Sequence, residues 1–449
     1  MVLHCSTSVL ARHVQEFHSD LVPALRMIVQ NFTSSHEDKM LVQLILMNVC
    51  KTIGLIYSYV PTEQIEDLIT TLLLILNCQS FPSIQVDAAG KICALVSSVP
   101  VDDNGATITK LEANASLLIS ALSTVFGSVS GGTEEADPTL RLYDLAAISE
   151  VIRIKMMKRR CTMLAISRHF RHPDPKTRRK ALSLCREYLD HPEVSNSFST
   201  GMFVENALVE TLAESAAKET DPEIQFTAVS LLRKITTMQV FPSASIMATI
   251  KDLAYSGHSD RVVVECGATY CEGMQKEPFP TKEDLSTVVG FTGFPFAEVR
   301  SKALATIESF ITKSETVDLL IKETDLFINF GLIVTNGSDV DCEQALNIVR
   351  QLSRSSRNHP KLCENSDFLA TVVDYVAKKE VSNRNAHFFA VEIVLALLSN
   401  DENTKVFLPF RHLLPWLVSF LNKTTADDAF KDQVVAVIIR LSTAYLEYD

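Results

Sequence analysis

The sequence predicts an all-α fold, a superhelix of stacked helix pairs, on three observations. Glycine and proline are scarce, 14 and 16 in 449 residues, while 47% of the chain is apolar; that balance favours helices around a large core. Apolar stripes recur with the helical period, and sustained period-two alternation is absent. A small residue flanked by apolar ones returns along the chain every 37 to 47 residues, the interval of a two- or three-helix repeat.

The recurring element reads as the second helix of each unit. In Pro222–Leu232, Ile224, Ala228, Leu231 and Leu232 fall on one helix face, and Val299, Ala303 and Ile307 repeat the arrangement. Further copies align on Ala89, Ala181, Cys266, Ala345, Ala390 and Ala436, with Leu44 in the same place 45 residues before Ala89. A small side chain is required where two helices cross closely, because a large one would push their axes apart. The count is roughly ten units.

Unit starts carry helix punctuation. Asp137-Pro138, Asp174-Pro175 and Asp221-Pro222 each offer a capping carboxylate and then proline at the first helical position. Phe81-Pro82-Ser83, Phe241-Pro242-Ser243 and Phe279-Pro280-Thr281 offer a hydroxyl instead, and Thr281 with Asp284 spells a capping box. The apolar runs read as first helices at Ile65–Leu76, Ala115–Phe126, Phe203–Ala217, Ser245–Ala254, Asp284–Val289, Thr316–Ile321, Leu369–Val376 and Leu413–Leu421. The Gly/Ser-rich stretch Gly127–Pro138 is the expected loop or hinge between N-terminal repeats in 1–126 and C-terminal repeats in 139–449, all in one continuous solenoid. Val101–Lys110 and Arg354–Asn365 read as lesser loops. Leu41–Val60 is strongly apolar but interrupted by Gln43, Asn48 and Lys51, which suits a buried helix better than a membrane span.

Glu298-Val299-Arg300 and Asp174…Arg178 place an acidic cap before an arginine at the start of a second helix. In this the chain resembles the armadillo/HEAT superfamily, although Gln225, Gln344 and Asp87 stand where the family often has a basic residue. The run Phe294-Pro295-Phe296-Ala297-Glu298-Val299-Arg300 is similar to proteasome-assembly armadillo proteins, and implies an assembly chaperone as one reading. The superfamily resemblance implies an α-solenoid that binds other macromolecules.

Net charge is −12, which argues against general nucleic-acid binding. Within Val151–Lys180, however, stand Arg153, Lys155, Lys158, Arg159, Arg160, Arg168, Arg171, Lys176, Arg178, Arg179 and Lys180, with Asp174 as the sole acid. Lys155, Lys158 and Arg159 are expected on one helix face, and Lys176, Arg179 and Lys180 on another. Such a patch suits an acidic or phosphorylated protein segment; the bland alternative is neutralisation by acidic neighbouring repeats. Nucleic acid is the weaker alternative partner, since only Phe170 and Tyr188 are placed to stack on bases. His169 and His172 lack a ligand-spaced cysteine or carboxylate and read as solvated or phosphate-contacting rather than as metal ligands.

No nucleotide-binding loop, zinc-protease or nucleophile-elbow motif is present, so the expectation is a non-enzymatic scaffold or adaptor that grips a protein partner along its concave face, with no cofactor, metal or small-molecule substrate. The ten cysteines lack CxxC spacing and lie mostly in apolar runs. With no secretory leader legible at Met1–Cys5, they predict reduced, buried thiols and a cytoplasmic protein, the nucleus being the alternative compartment.

Overall fold

A computed structural model describes residues 20–32, 39–56, 60, 62–78, 81–97, 105–123, 140–190, 208–237, 243–277, 280–378, 383–423 and 428–448. Among them every regular element is a helix and none is a strand. Contacts divide the chain into two compact units, Met1–Ser215 and Ala216–Asp449. The expected hinge at Gly127–Pro138 lies outside the described residues.

In the first unit, helices Lys39–Ile56 and Thr62–Leu76 pack on Pro82–Ser97, which in turn packs on Gly105–Ser123 and Arg141–Ile148. Glu150–Met157, Arg160–Arg168 and Pro175–Asp190 continue the series. Lys39–Ile56 is long and apolar enough to cross a membrane by length and composition; here one face, Val42, Leu46, Val49, Cys50, Ile53 and Ile56, is buried.

The second unit is more regular. Its first helices are Ala244–Ser256, Lys282–Thr292, Thr324–Asn336, Ser366–Ala377 and Leu413–Lys423. Its second helices are Pro222–Thr237, Asp260–Lys276, Ala297–Ile311, Asp339–Ser353, Arg384–Leu398 and Asp428–Tyr448. From Asp260–Lys276 onward, each second helix packs on the first helix of its own repeat and on the second helix before it. The short helices Ser314–Leu320, His359–Glu364 and Thr404–Phe407 give the later repeats a third element.

The small residues occupy the crossings. Ala89, Ala181, Ala228, Cys266, Ala303, Ala345 and Ala390 are all buried. Beside Cys266, a Cβ added to Gly267 would lie 2.9 Å from Val299 Cγ1 on the next second helix, so that crossing accepts no side chain at all. Two assignments of register change. Ala436 is exposed, and Val434, Val437 and Leu441 form the buried stripe. Leu44 is exposed and Leu46 buried. Both helices are apolar nearly all round, so a small or aliphatic residue alone does not select the inward face.

Capping follows the sequence in part. Asp174 accepts hydrogen bonds from Lys176 N and Thr177 N, both 3.1 Å. Asp221 accepts from Glu223 N and Ile224 N. Thr281 and Asp284 form the complete capping box. The other two hydroxyls depart from expectation. Helix Pro82–Ser97 begins before Ser83, with the Phe81 carbonyl accepting from Ile84 N and Gln85 N. Ser243 stands at its N-cap without a side-chain cap bond. The expected loop Val101–Lys110 is helical from Gly105, and Arg354–Asn365 contains a 3-10 turn and helix His359–Glu364. In both places a few polar residues are overruled by the packing of flanking apolar positions.

Two arginines brace their turns in the same way. Arg178 Nη1 donates to the carbonyls of His172 and Pro173, at 2.9 and 2.8 Å. Arg300 Nη1 donates to those of Phe294 and Pro295, both at 2.9 Å. Each closes the turn that precedes its own second helix. Arg300 also reaches buried Asp341 in the next repeat, at 3.2 Å. Such inter-repeat bonds record the period directly: Arg233–Glu272, Arg300–Asp341, Arg350–Glu392 and Asn383–Asp339 lie 39, 41, 42 and 44 residues apart.

Replacing Arg300 by alanine frees two turn carbonyls and leaves Asp341 buried without its cation. We expect a loss of about 3 kcal/mol in urea unfolding, and smaller for Arg300→Lys, which cannot fork between both partners. The cysteines give a second expectation. Burial pushes the thiols of Cys50, Cys93 and Cys185 up to about 12, so in the native protein they stay protonated and hidden at pH 8. Among the described cysteines, a disulfide reagent should label half-buried Cys78 and Cys363 first, and the buried set only after denaturant is added.

Candidate functional site

The cationic segment is built from four consecutive pieces of the first unit. Helix Glu150–Met157 stops at Lys158, whose backbone N–H closes on Ile154 O. Arg159 is extended, with φ −109° and ψ 119°, before helix Arg160–Arg168 starts. A 3-10 turn, His169–Arg171, leads to helix Pro175–Asp190. The helical break corrects the expected face: Lys155, Lys158 and Arg159 do not share one helix, because the chain leaves helical geometry at Arg159. Lys176, Arg179 and Lys180 do lie on one helix and are exposed.

The side chains divide by what they bind. Lys155 Nζ donates to Glu112 O at 2.7 Å, and Arg159 Nη1 to Ser116 O at 2.9 Å, one turn further along helix Gly105–Ser123. Arg178 clasps its own turn, as above. All three spend hydrogen bonds on neutral carbonyls. Arg153 pairs with Glu187 and Arg171 with Glu214. Lys158, Arg168, Lys176, Arg179 and Lys180 are exposed; the Arg160 side chain lies outside the description. Asp174, the acid within the segment, has its carboxyl held below the usual carboxylate range by hydrogen bonds from Lys176 N and the Thr177 hydroxyl.

Of the two histidines, His169 is not solvated and His172 is half-buried. His169 is buried, shares a 2.6 Å hydrogen bond with the Tyr143 hydroxyl, and meets the His172 ring edge-on at 5.9 Å. His172 Nδ1 accepts from Asp174 N. Phe170 is buried and offers no stacking face; the Tyr188 side chain lies outside the description. No group of three or more His, Cys, Asp or Glu among the described residues is placed to hold a metal ion.

A second polar array, which sequence reading missed, runs along the second helices of Ala216–Asp449. Arg233 forks to both Glu272 oxygens, at 3.0 and 3.1 Å, and reaches Glu265 and Glu298. Lys302 joins Glu272 at 2.8 Å. Asn347 and Gln351 donate to Glu308. Arg350 bonds Asn347 and Glu392 and lies 4.3 Å over the Phe389 ring. Burial opposes the charge on Glu272, but Arg233 and Lys302 overcome it and hold the carboxyl below its usual range. The signal was present as polar residues one period apart, such as Arg233 and Glu272, and only the stacking register reveals that they meet.

Helix pairs in tandem, second helix on second helix, with bonds at the repeat interval, decide the architecture. The fold is an armadillo/HEAT-like α-solenoid. No family model and no curated protein matches the chain. Among solved structures the solenoid is similar to an engineered protein, at 13% identity over 93% of this chain and 98% of that one, with TM-score 0.42. It is similar to a designed armadillo repeat protein in complex with the peptide (KR)4, at 15% identity over 52% and 99%, with TM-score 0.38. It is also similar to computationally designed armadillo repeat proteins for modular peptide recognition, at 15% identity over 61% and 98%, with TM-score 0.33.

The Arg233 network yields a pH dependence of known sign. Because the folded Glu272 value is depressed below 4.5, its contribution is complete above that pH and disappears as pH falls through the folded value. Arg233→Ala should cost about 1–3 kcal/mol near pH 7, the half-buried setting reducing what a dry pair would lose. Urea unfolding followed from pH 7 to 3 should show the variant's deficit shrinking as Glu272 protonates.

Proposed function

We propose that the protein is a binding scaffold, acting in the cytoplasm without catalysis of its own, that docks an acidic or phosphorylated protein segment on Arg153–Lys180. One observation carries this reading. Lys155 and Arg159 are fixed in place by carbonyls that cancel none of their charge, in the same segment as exposed Lys176 and Lys180. Held cations together with exposed ones suit carboxylate or phosphate recognition, because part of the ordering cost is met in folding. The row of second helices in Ala216–Asp449, with half-buried ions and amides, supports a wider role in gripping a polypeptide. The free thiols of the eight described cysteines fit a reducing compartment.

Some cations of the segment are exposed and others bond carbonyls, and the test uses that difference. Lys176→Glu and Lys180→Glu together reverse exposed charges and leave Lys155, Arg159 and Arg178 intact. In an affinity pull-down with identification by mass spectrometry, we expect specific protein partners to be lost while circular dichroism and melting stay unchanged. Undiminished partners from a folded variant contradict the docking role. Partners released by nuclease treatment point to nucleic acid and contradict it as well.

A further inference from the structure

Helix Thr324–Asn336 is apolar nearly all the way round. Leu326, Phe327, Phe330, Ile333 and Val334 are buried, yet Ile328 and Leu332, one turn apart on another face, are 59% and 56% exposed. An all-round apolar helix calls for more than one packing partner, and among the described residues Ile328 and Leu332 stay exposed while the first face is packed. Between Ile328 and Leu332 sits Gly331, where an added Cβ would meet only ordinary contacts, with Thr371 and Phe368 at 3.8 and 3.9 Å. No crowding demands glycine there, and mid-helix glycine costs about 0.5–1 kcal/mol relative to alanine.

What glycine leaves open is a groove of about 420 Å³ against the next first helix, Ser366–Ala377. Ile328, Leu332, Phe327 and Phe368 give it an apolar lining, and Glu364 and Asp367 its charge; no Lys or Arg lines it. Asp367 stands in the first turn of Ser366–Ala377, and Glu364 makes an exposed pair with Lys361, which contributes little and is readily exchanged.

We propose that this groove docks a short basic-amphipathic segment of a partner protein, aliphatic side chains on Ile328 and Leu332 and Lys or Arg against Asp367 and Glu364. Lining of a single sign selects the occupant: an acidic segment meets repulsion, and a basic one gains Asp367 and, in exchange for Lys361, Glu364. The groove lies between first helices of the second unit, and so adds a site to the cationic segment proposed above.

The experiment is selection from a displayed library of random twelve-residue peptides on the full chain, followed by anisotropy with the enriched peptides. We expect enrichment of aliphatic residues flanked by Lys or Arg. Ile328→Glu with Leu332→Glu should weaken binding at least tenfold. Asp367→Lys should weaken it several-fold, while Lys176→Glu with Lys180→Glu should leave it unchanged, which separates this site from the cationic one. Circular dichroism and melting should match the parent, since both replaced aliphatic residues are exposed. The proposal is overturned by failure to enrich any peptide, by acidic-flanked peptides, or by peptides that bind the double variant equally well. Sedimentation showing a dimer that the double variant dissociates overturns it too, by making a second copy the occupant.

Discussion

Close approach of consecutive second helices is the constraint on which the structure depends. Interhelical distance is set by the side chains at the crossing. Here those side chains are alanine, cysteine or nothing, at Ala303, Cys266 and Gly267. Small crossings let each second helix press on the next, so apolar stripes are buried and polar residues one repeat apart come within hydrogen-bond reach. Arg233 reaches Glu272 and Arg350 reaches Glu392 because the helices beneath them are packed this tightly.

Charge is then used in two ways. Some ions are structural members: Arg300 on Asp341, Arg178 on its turn carbonyls, Lys155 and Arg159 on the helix before them. Their hydrogen bonds hold repeats in register. Others, among them Lys176 and Lys180, stand on the surface. The basic segment is therefore neither wholly internal nor wholly available. Its buried-side cations fix a positive field, and its exposed ones can meet a partner.

Much of the architecture was legible in the sequence because it rests on local chemistry with a period. Asp174, Asp221 and the Thr281–Asp284 pair cap as their spacing implies, and the alanines of the central repeats are buried. Legibility failed where local chemistry is ambiguous. Around Leu44 and Ala436 the helices are apolar on several faces, and only neighbours choose the inward one. Arg159 lies past a helix break that its basic neighbours do not announce, so the expected cationic face dissolved. His169 looked solvated because its partner, Tyr143, is 26 residues away. The Arg233–Glu272 array escaped notice because each residue alone reads as a solvated charge.

Two mid-helix glycines offer the most direct test of the crossing constraint. Each loses its flexibility penalty when replaced by alanine, about 0.5–1 kcal/mol in favour of the fold. At Gly331 nothing opposes that gain. At Gly267 the new methyl meets stiff, β-branched Val299 at 2.9 Å. Chemical unfolding of Gly267→Ala and Gly331→Ala should give opposite signs, the first destabilised and the second stabilised. Equal stabilisation of both would mean that the second helices are not held at the spacing on which this account rests.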